Sequence, residues 1–254
     1  MCSSDLGADR TVTYDSIAPT VTLQQAAAQA DPTKTSALSF EFTSNEALDA
    51  TTVTASDFTA TNGTITGVTG AGTSFTVAVT ASTQGAVTIA PSGTFQVADT
   101  AGNTQGTAGG TDRSVTYDTT APTLTLAQAA DQTDPTNGSS IKFTLSSNES
   151  LDGTTITAAD FTVTNGGTPT ITGSGSTWTV TTTASGQGAV TIALSGTVSI
   201  SDLAGNATTT AGGTDRSVTF DSVAPTLTLQ QAGDQVDPAK SSAIRSEEHT
   251  SELQ

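Results

Sequence analysis

Side-chain oxygen is the main chemical resource of this chain. Asp15, Asn45, Glu46, Asp49, Asp57, Asp99 and Asn103 recur 103 residues later as Asp118, Asn148, Glu149, Asp152, Asp160, Asp202 and Asn206. Carboxylates and amides are hard oxygen donors, and no nitrogen or sulfur ligand accompanies them. Such a set suits calcium, which takes about six to eight oxygens from carboxylates, amides and carbonyls. Several carboxylates gathered at one place would repel one another unless a cation neutralised them. A second reading stays open beside this one. Asp and Asn favour turns for purely local reasons, and Asp-x-Ala-Gly-Asn at 99–103 and 202–206 also reads as a turn with a left-handed Gly. No run matches the helix–loop–helix calcium loop.

Other chemistry is poorly provided for. Residues 7–244 contain no His and no Cys, since Cys2 and His249 lie outside them. A serine nucleophile would have no imidazole base. Acid–base work by paired carboxylates needs an apolar cleft to raise one pKa, and none is suggested. The chain therefore reads as a non-enzyme, with no catalytic and no organic cofactor-binding residues. Arg10, Arg113 and Arg216 each follow an Asp. They read as solvated pairs on a strand face, worth at most about 1 kcal/mol. Asn62, Asn137, Asn148 and Asn206 open Asn-x-Ser/Thr triplets, which chance supplies freely in a Thr-rich chain.

The elements that must position these residues are strands. Val21 and Leu23 alternate with Thr, and Leu38, Phe40 and Phe42 alternate with small or polar residues. Phe75–Val79, Val87–Ile89, Phe95–Val97 and Val115–Tyr117 do the same. Period-two patterning rich in Val, Thr and Phe predicts half-buried strands. Gly, Asn, Asp and Pro punctuate them, as at Asp31-Pro32, Asn62-Gly63 and Gly102-Asn103. Gln24–Ala30 lacks an apolar stripe and reads as a loop or one helical turn. The aromatics stand in phase with the apolar side of each strand and are expected in the core.

The stretch Tyr117-Asp118-Thr119-Thr120-Ala121-Pro122-Thr123 has a copy 103 residues before it, from Tyr14, and another 103 residues after it, from Phe220. It reads as the joint between tandem copies of one domain. About seven short strands in roughly 100 residues is the count of an immunoglobulin-like β-sandwich. The expected division is 7–17, the last strand of a preceding repeat; 18–118, repeat 1; 119–221, repeat 2; and 222–244, the first strand of a third. Residues 222–244 are expected to pack poorly. In such a sandwich the start of strand A, the B–C loop and the F–G loop share one end. That end collects the acidic set.

Both termini read differently. Back-translated, residues 1–6 and 245–254 encode complementary strings over roughly 17 bases, resembling read-through of a sequencing adapter. They are expected to lack ordered structure. The formal charge is −17 with a pI near 4.1, which repels nucleic acid and anionic membrane. No stretch approaches the roughly 18 apolar residues that span a bilayer.

Asp-x-x-Ala-Pro-Thr, Asn-Glu-x-Leu-Asp, Ala-x-Asp-Phe-Thr, Gly-x-x-Thr-Ile, Asp-x-Ala-Gly-Asn and Thr-Asp-Arg-Ser-Val-Thr-Tyr-Asp follow one another in order. Together they resemble bacterial immunoglobulin-like repeats over nearly all of residues 10–244. Such repeats stand in tandem in very large secreted or surface proteins, many of them adhesins. The resemblance implies an all-β fold of sandwiches in an end-to-end array, an extracellular location and a stalk or spacer role, sometimes with bound calcium. The expected partners are neighbouring repeats and an unknown adhesion target, with no nucleic acid and no membrane contact by this segment. A ligand- or glycan-binding module and accessory repeats of a secreted enzyme are the competing readings.

Overall fold

The computed structural model describes residues 12–196 and 198–238, Lys240, Ser242 and the backbone of 246–250. Residues 1–11 (Arg10 among them), Arg245 and 251–254, parts of the expected terminal segments, lie outside the described residues. In chain order the strands are β1 (Val21–Gln25), β2 (Ala37–Leu48), β3 (Phe58–Thr61), β4 (Gly63–Ala81), β5 (Gly85–Pro91), β6 (Val97–Ala98), β7 (Thr104–Gln105) and β8 (Ser114–Tyr117). There follow β9 (Leu124–Gln128), β10 (Ser140–Ser147), β11 (Phe161–Thr164), β12 (Thr170–Ser174), β13 (Thr177–Thr183) and β14 (Gly188–Leu194). The last are β15 (Ile200–Ser201), β16 (Ala207–Thr208), β17 (Ala211–Gly212), β18 (Ser217–Phe220), β19 (Leu227–Gln231) and β20 (Ser246–Thr250). The fold is all-β, built as immunoglobulin-like sandwiches, and its helical turns are three-residue 3-10 segments.

The chain divides into two compact units. The first comprises Met1–Thr123, Ser147–Thr155 and Ser199–Thr209; the second comprises Leu124–Ser146, Ile156–Val198 and Thr210–Gln254. In the first unit, β1, β2 and β4 form one antiparallel sheet and β3, β5 and β8 the other. One apolar cluster joins them, with Leu23, Phe40, Phe42, Val77, Val87 and Val115 fully buried. The inward residues sit two apart along each strand, as pleating requires. Phe42 lies at the centre, edge-on to Phe58 at 5.3 Å and to Phe95 at 5.9 Å, and 6.2 Å from Phe75.

The second unit repeats the plan. Its larger sheet runs β12-β13-β10-β9-β17 and its smaller one β11-β14-β18. Leu126, Ile141, Phe143, Leu145, Val180, Val190 and Val218 are fully buried. Leu145 takes the place that Phe42 holds in the first copy, and Trp178 takes that of Phe75. Trp178 is half-buried, its indole N–H donating to the Gly175 carbonyl at 3.1 Å.

Three features depart from the sequence reading. Tyr14 is 87% exposed and not in a core. Tyr117 pairs with Gly85 and Phe220 with Gly188, but Tyr14 has no such strand partner among the described residues. Residues 246–250 form a strand antiparallel to Leu227–Gln231, because an unpaired edge is a ready template for another segment. The residues of β19 are nonetheless exposed along its length.

The third departure is the arginine. Arg113 makes no solvated pair with Asp112. Its guanidinium donates to the carbonyls of Leu23 at 3.2 Å and of Ala108 and Gly109 at 2.6 Å. Arg216 likewise donates to Gly213 at 2.8 and 3.0 Å and to Ala211 at 3.3 Å. Both are half-buried, so the planar fork supplies donors to backbone carbonyls that burial shields from water. In the second unit these bonds fix the 211–213 segment, whose β17 pairs parallel with β9. Gly213 has φ +109°, and a Cβ there would collide with the Leu126 carbonyl. Arg216→Ala is expected to lower stability by about 1.5–3 kcal/mol, the usual range for hydrogen bonds to a charged group. A urea titration that left the midpoint unmoved would remove the clamp from this description.

Candidate metal centre

Two three-carboxylate clusters form among the described residues, both within the first unit. Asp15, Glu46 and Asp99 bring one oxygen each within 4.8 Å of one another, and Asp118, Glu149 and Asp202 do the same. Local turns and short bridges position them. β2 carries the chain to Leu48, which bridges to Asp99. Asp49 N donates to Ala98 O at 2.9 Å, and Thr100 N to Ala47 O at 3.3 Å. The loop that carries Asp99 is thereby zipped onto the segment that carries Glu46. The second cluster repeats this, with Leu151 bridged to Asp202 and Asp152 N donating to Ser201 O at 2.9 Å.

The first carboxylate of each cluster is aimed by an Asx turn. Asp15 Oδ1 accepts from Ile17 N and Asp118 Oδ1 from Thr120 N, both at 3.0 Å. Asn206 also donates to the Asp118 backbone carbonyl at 2.9 Å. Asp99 and Asp202 are each only 2% exposed. Asp99 Oδ1 accepts from Ala101 N at 2.8 Å and Asn103 N at 2.9 Å, and Oδ2 from Asn103 Nδ2 at 2.8 Å. Gly102 closes that turn at φ +94°.

The electrostatics divide the carboxylates. Burial, followed by the Asp118 and Asp202 charges, pushes Glu149 above its ordinary 4.5. Burial, then Asp15 and Asp99, does the same to Glu46. Burial also pushes Asp99 up, but the bonds from Asn103, Ala101 and Gly102 outweigh it and leave the carboxyl below its usual range. No lysine or arginine forms an ion pair with either cluster among the described residues; the pair that does form is Lys142–Asp131 at 2.8 Å. Lys34 donates to the Gly205 carbonyl at 2.6 Å, on the loop between Asp202 and Asn206. Glu149 Oε1 is buried without a hydrogen-bond partner, a state that costs free energy unless something satisfies it.

The other oxygen-bearing residues of the two sets serve the scaffold. Asn45 Oδ1 accepts from Thr20 N and Asn148 Oδ1 from Thr123 N, both at 2.7 Å. Asp49 and Asp152 cap 3-10 turns through Thr51 and Thr154, whose bonds hold these carboxyls below their usual range. Asp57 and Asp160 close capping boxes with Thr54 and Thr157. Asn103 and Asn206 donate their amides to Asp99 and Asp202. The site thus narrows to three side chains per cluster, supported by four.

Gln84 is a supporting residue that the sequence reading passed over. Its Oε1 accepts from Thr119 N at 3.4 Å and from Thr120 Oγ1 at 2.7 Å, fixing the chain just after Asp118. Gln187 holds Ser222 in the same way. The available signal was recurrence of Gln-Gly-Ala-Val at the same 103-residue spacing.

No protein-family model matches this chain, and no curated protein matches it. Several solved structures are similar to parts of it, among them a bacterial adhesin and an invasin. The adhesin InvE of Yersinia pseudotuberculosis matches at 17% identity and a TM-score of 0.27, over 79% of this chain and 58% of that one. Invasin, a bacterial integrin-binding protein, matches at 14% identity and a TM-score of 0.29, over 85% of this chain and 42% of that one. The chain thus spans about half the length of each, and likeness at this level carries no functional argument.

Proposed function

We propose that these repeats are stalk or spacer domains of an adhesin-like extracellular bacterial protein, with calcium at the joints between copies. Asp118, Glu149 and Asp202 would hold one ion, and Asp15, Glu46 and Asp99 another. The observation that carries the reading is the clustering of three carboxylates at the same place in both copies, without an ion-paired lysine or arginine among the described residues, and with Glu149 Oε1 buried without a hydrogen-bond partner. These are the hard donors that calcium prefers. The bound cation would supply the positive charge that the clusters lack, and backbone carbonyls or water would complete its coordination. Asp118, at the sequence junction of repeats 18–118 and 119–221, would then share its ion with Glu149 and Asp202. Small-angle scattering of the chain with EDTA and with millimolar calcium tests this. A longer, narrower distribution of dimensions with calcium is expected, and identical profiles would overturn the stiffening role.

A further inference from the structure

The chain contains three Asn-Gly pairs, at 62–63, 137–138 and 165–166. Asn-Gly is the dipeptide most prone to spontaneous loss of its side-chain amide, because glycine leaves the following backbone nitrogen open to approach. The reaction needs a side chain that can rotate until its Cγ meets that nitrogen. Two of the pairs are held against it. Asn62, at φ +58°, donates to the carbonyls of Thr83 at 2.8 Å and Ala86 at 3.3 Å and accepts from Thr83 N and Oγ1. Asn165, at φ +56°, donates to the carbonyls of Gly186 at 2.9 Å, Gln187 and Ala189. Either amide must break several bonds before it can turn.

Asn137 is different. It is exposed, lies in a bend between β9 and β10, and its amide has no hydrogen bond among the described residues. Gly138 is exposed too, and its N–H donates only to Thr136 Oγ1, at a long 3.2 Å. The same position carries Lys34 in the first copy and Lys240 in the third, so the second copy alone has the pair there.

We infer that Asn137-Gly138 is a self-modification site in the folded protein, converting Asn137 to aspartate and isoaspartate while Asn62 and Asn165 stay intact. The deprotonated Gly138 nitrogen attacks Asn137 Cγ, forming a C–N bond. The Cγ–Nδ2 bond breaks, and Nδ2 leaves as ammonia after taking up a proton. Water then opens the cyclic imide. Cleavage of the new bond gives aspartate; cleavage at the backbone carbonyl gives isoaspartate. Water is the only co-reactant. The product puts a negative charge where the first and third copies place a lysine.

The test is peptide mass spectrometry with isoaspartate detection after ageing the folded chain at mildly alkaline pH, beside the same chain in denaturant. In the folded protein, the 137-containing peptide should gain the mass of an amide-to-acid exchange and the isoaspartate signal, with the 62 and 165 peptides unchanged. In denaturant all three should react at similar rates. Gly138→Ala should suppress the reaction without altering the urea midpoint. The inference is overturned if Asn137 keeps its amide in the folded chain while reacting in denaturant. It is equally overturned if Asn62 or Asn165 reacts as fast as Asn137 in the folded state.

Discussion

Millimolar calcium should raise the melting temperature of the EDTA-stripped protein by roughly 10–20 °C. A ligand present at about a hundred times its Kd stabilises the fold by about 2.7 kcal/mol, and a domain of roughly 100 residues gains about 4–8 °C per kcal/mol. Glu149→Gln separates the metal from mere structure. Without calcium the variant should melt higher than the parent, because it removes a charge that burial, Asp118 and Asp202 all resist. With calcium its gain should shrink, because a ligand is gone. Loss of stability in both conditions would show a purely structural glutamate.

The pH dependence has a definite sign. Glu46 and Glu149 titrate above 4.5 in the fold. Their protonated forms are favoured, so their contribution is full below 4.5 and is lost as pH rises through the raised values. Asp49, Asp99, Asp131 and Asp152 titrate below 3.8, and their contribution is lost as pH falls through the lowered values. As far as these groups go, the metal-free protein is most stable between those windows and weakens towards neutral pH. Calcium requires ionised glutamates, so its effect grows across the range in which the metal-free protein weakens.

Phe42→Ala should cost about 3–5 kcal/mol, the range for emptying a large buried site. Phe42 is fully buried and touches three other rings, so truncation removes both volume and edge-on ring contacts. Phe42→Leu should cost far less, because Leu145 fills the same place in the second copy with no exposure. Urea unfolding with the slope held constant measures both. Equal losses for Ala and Leu would mean that ring contacts, rather than filled volume, hold this core together.

The sandwich was legible because its signal is local and repeated. Alternation in Leu38–Phe42 and Phe75–Val79 fixes which face is apolar, and the observed register pairs Phe40 with Val77 and Phe42 with Phe75. The arginine clamp was hidden because its partners are backbone carbonyls, which have no sequence identity. The acidic end was read as a set of seven residues per copy, of which the fold gathers three carboxylates. An Asp that caps a turn, such as Asp152, and one that faces a cluster, such as Asp202, carry similar neighbours; only long-range bridging tells them apart. Tyr14 shows the converse. Its sequence matches Tyr117, but burial depends on a strand such as β5 lying beside it.

Calorimetric titration of the EDTA-stripped, folded chain with calcium at neutral pH is the most direct measurement. One ion per cluster is expected, saturable and weakened by acid, with Glu46→Gln and Glu149→Gln each removing one binding event. Absence of saturable binding by a protein that keeps its native circular dichroism would contradict calcium at the joints.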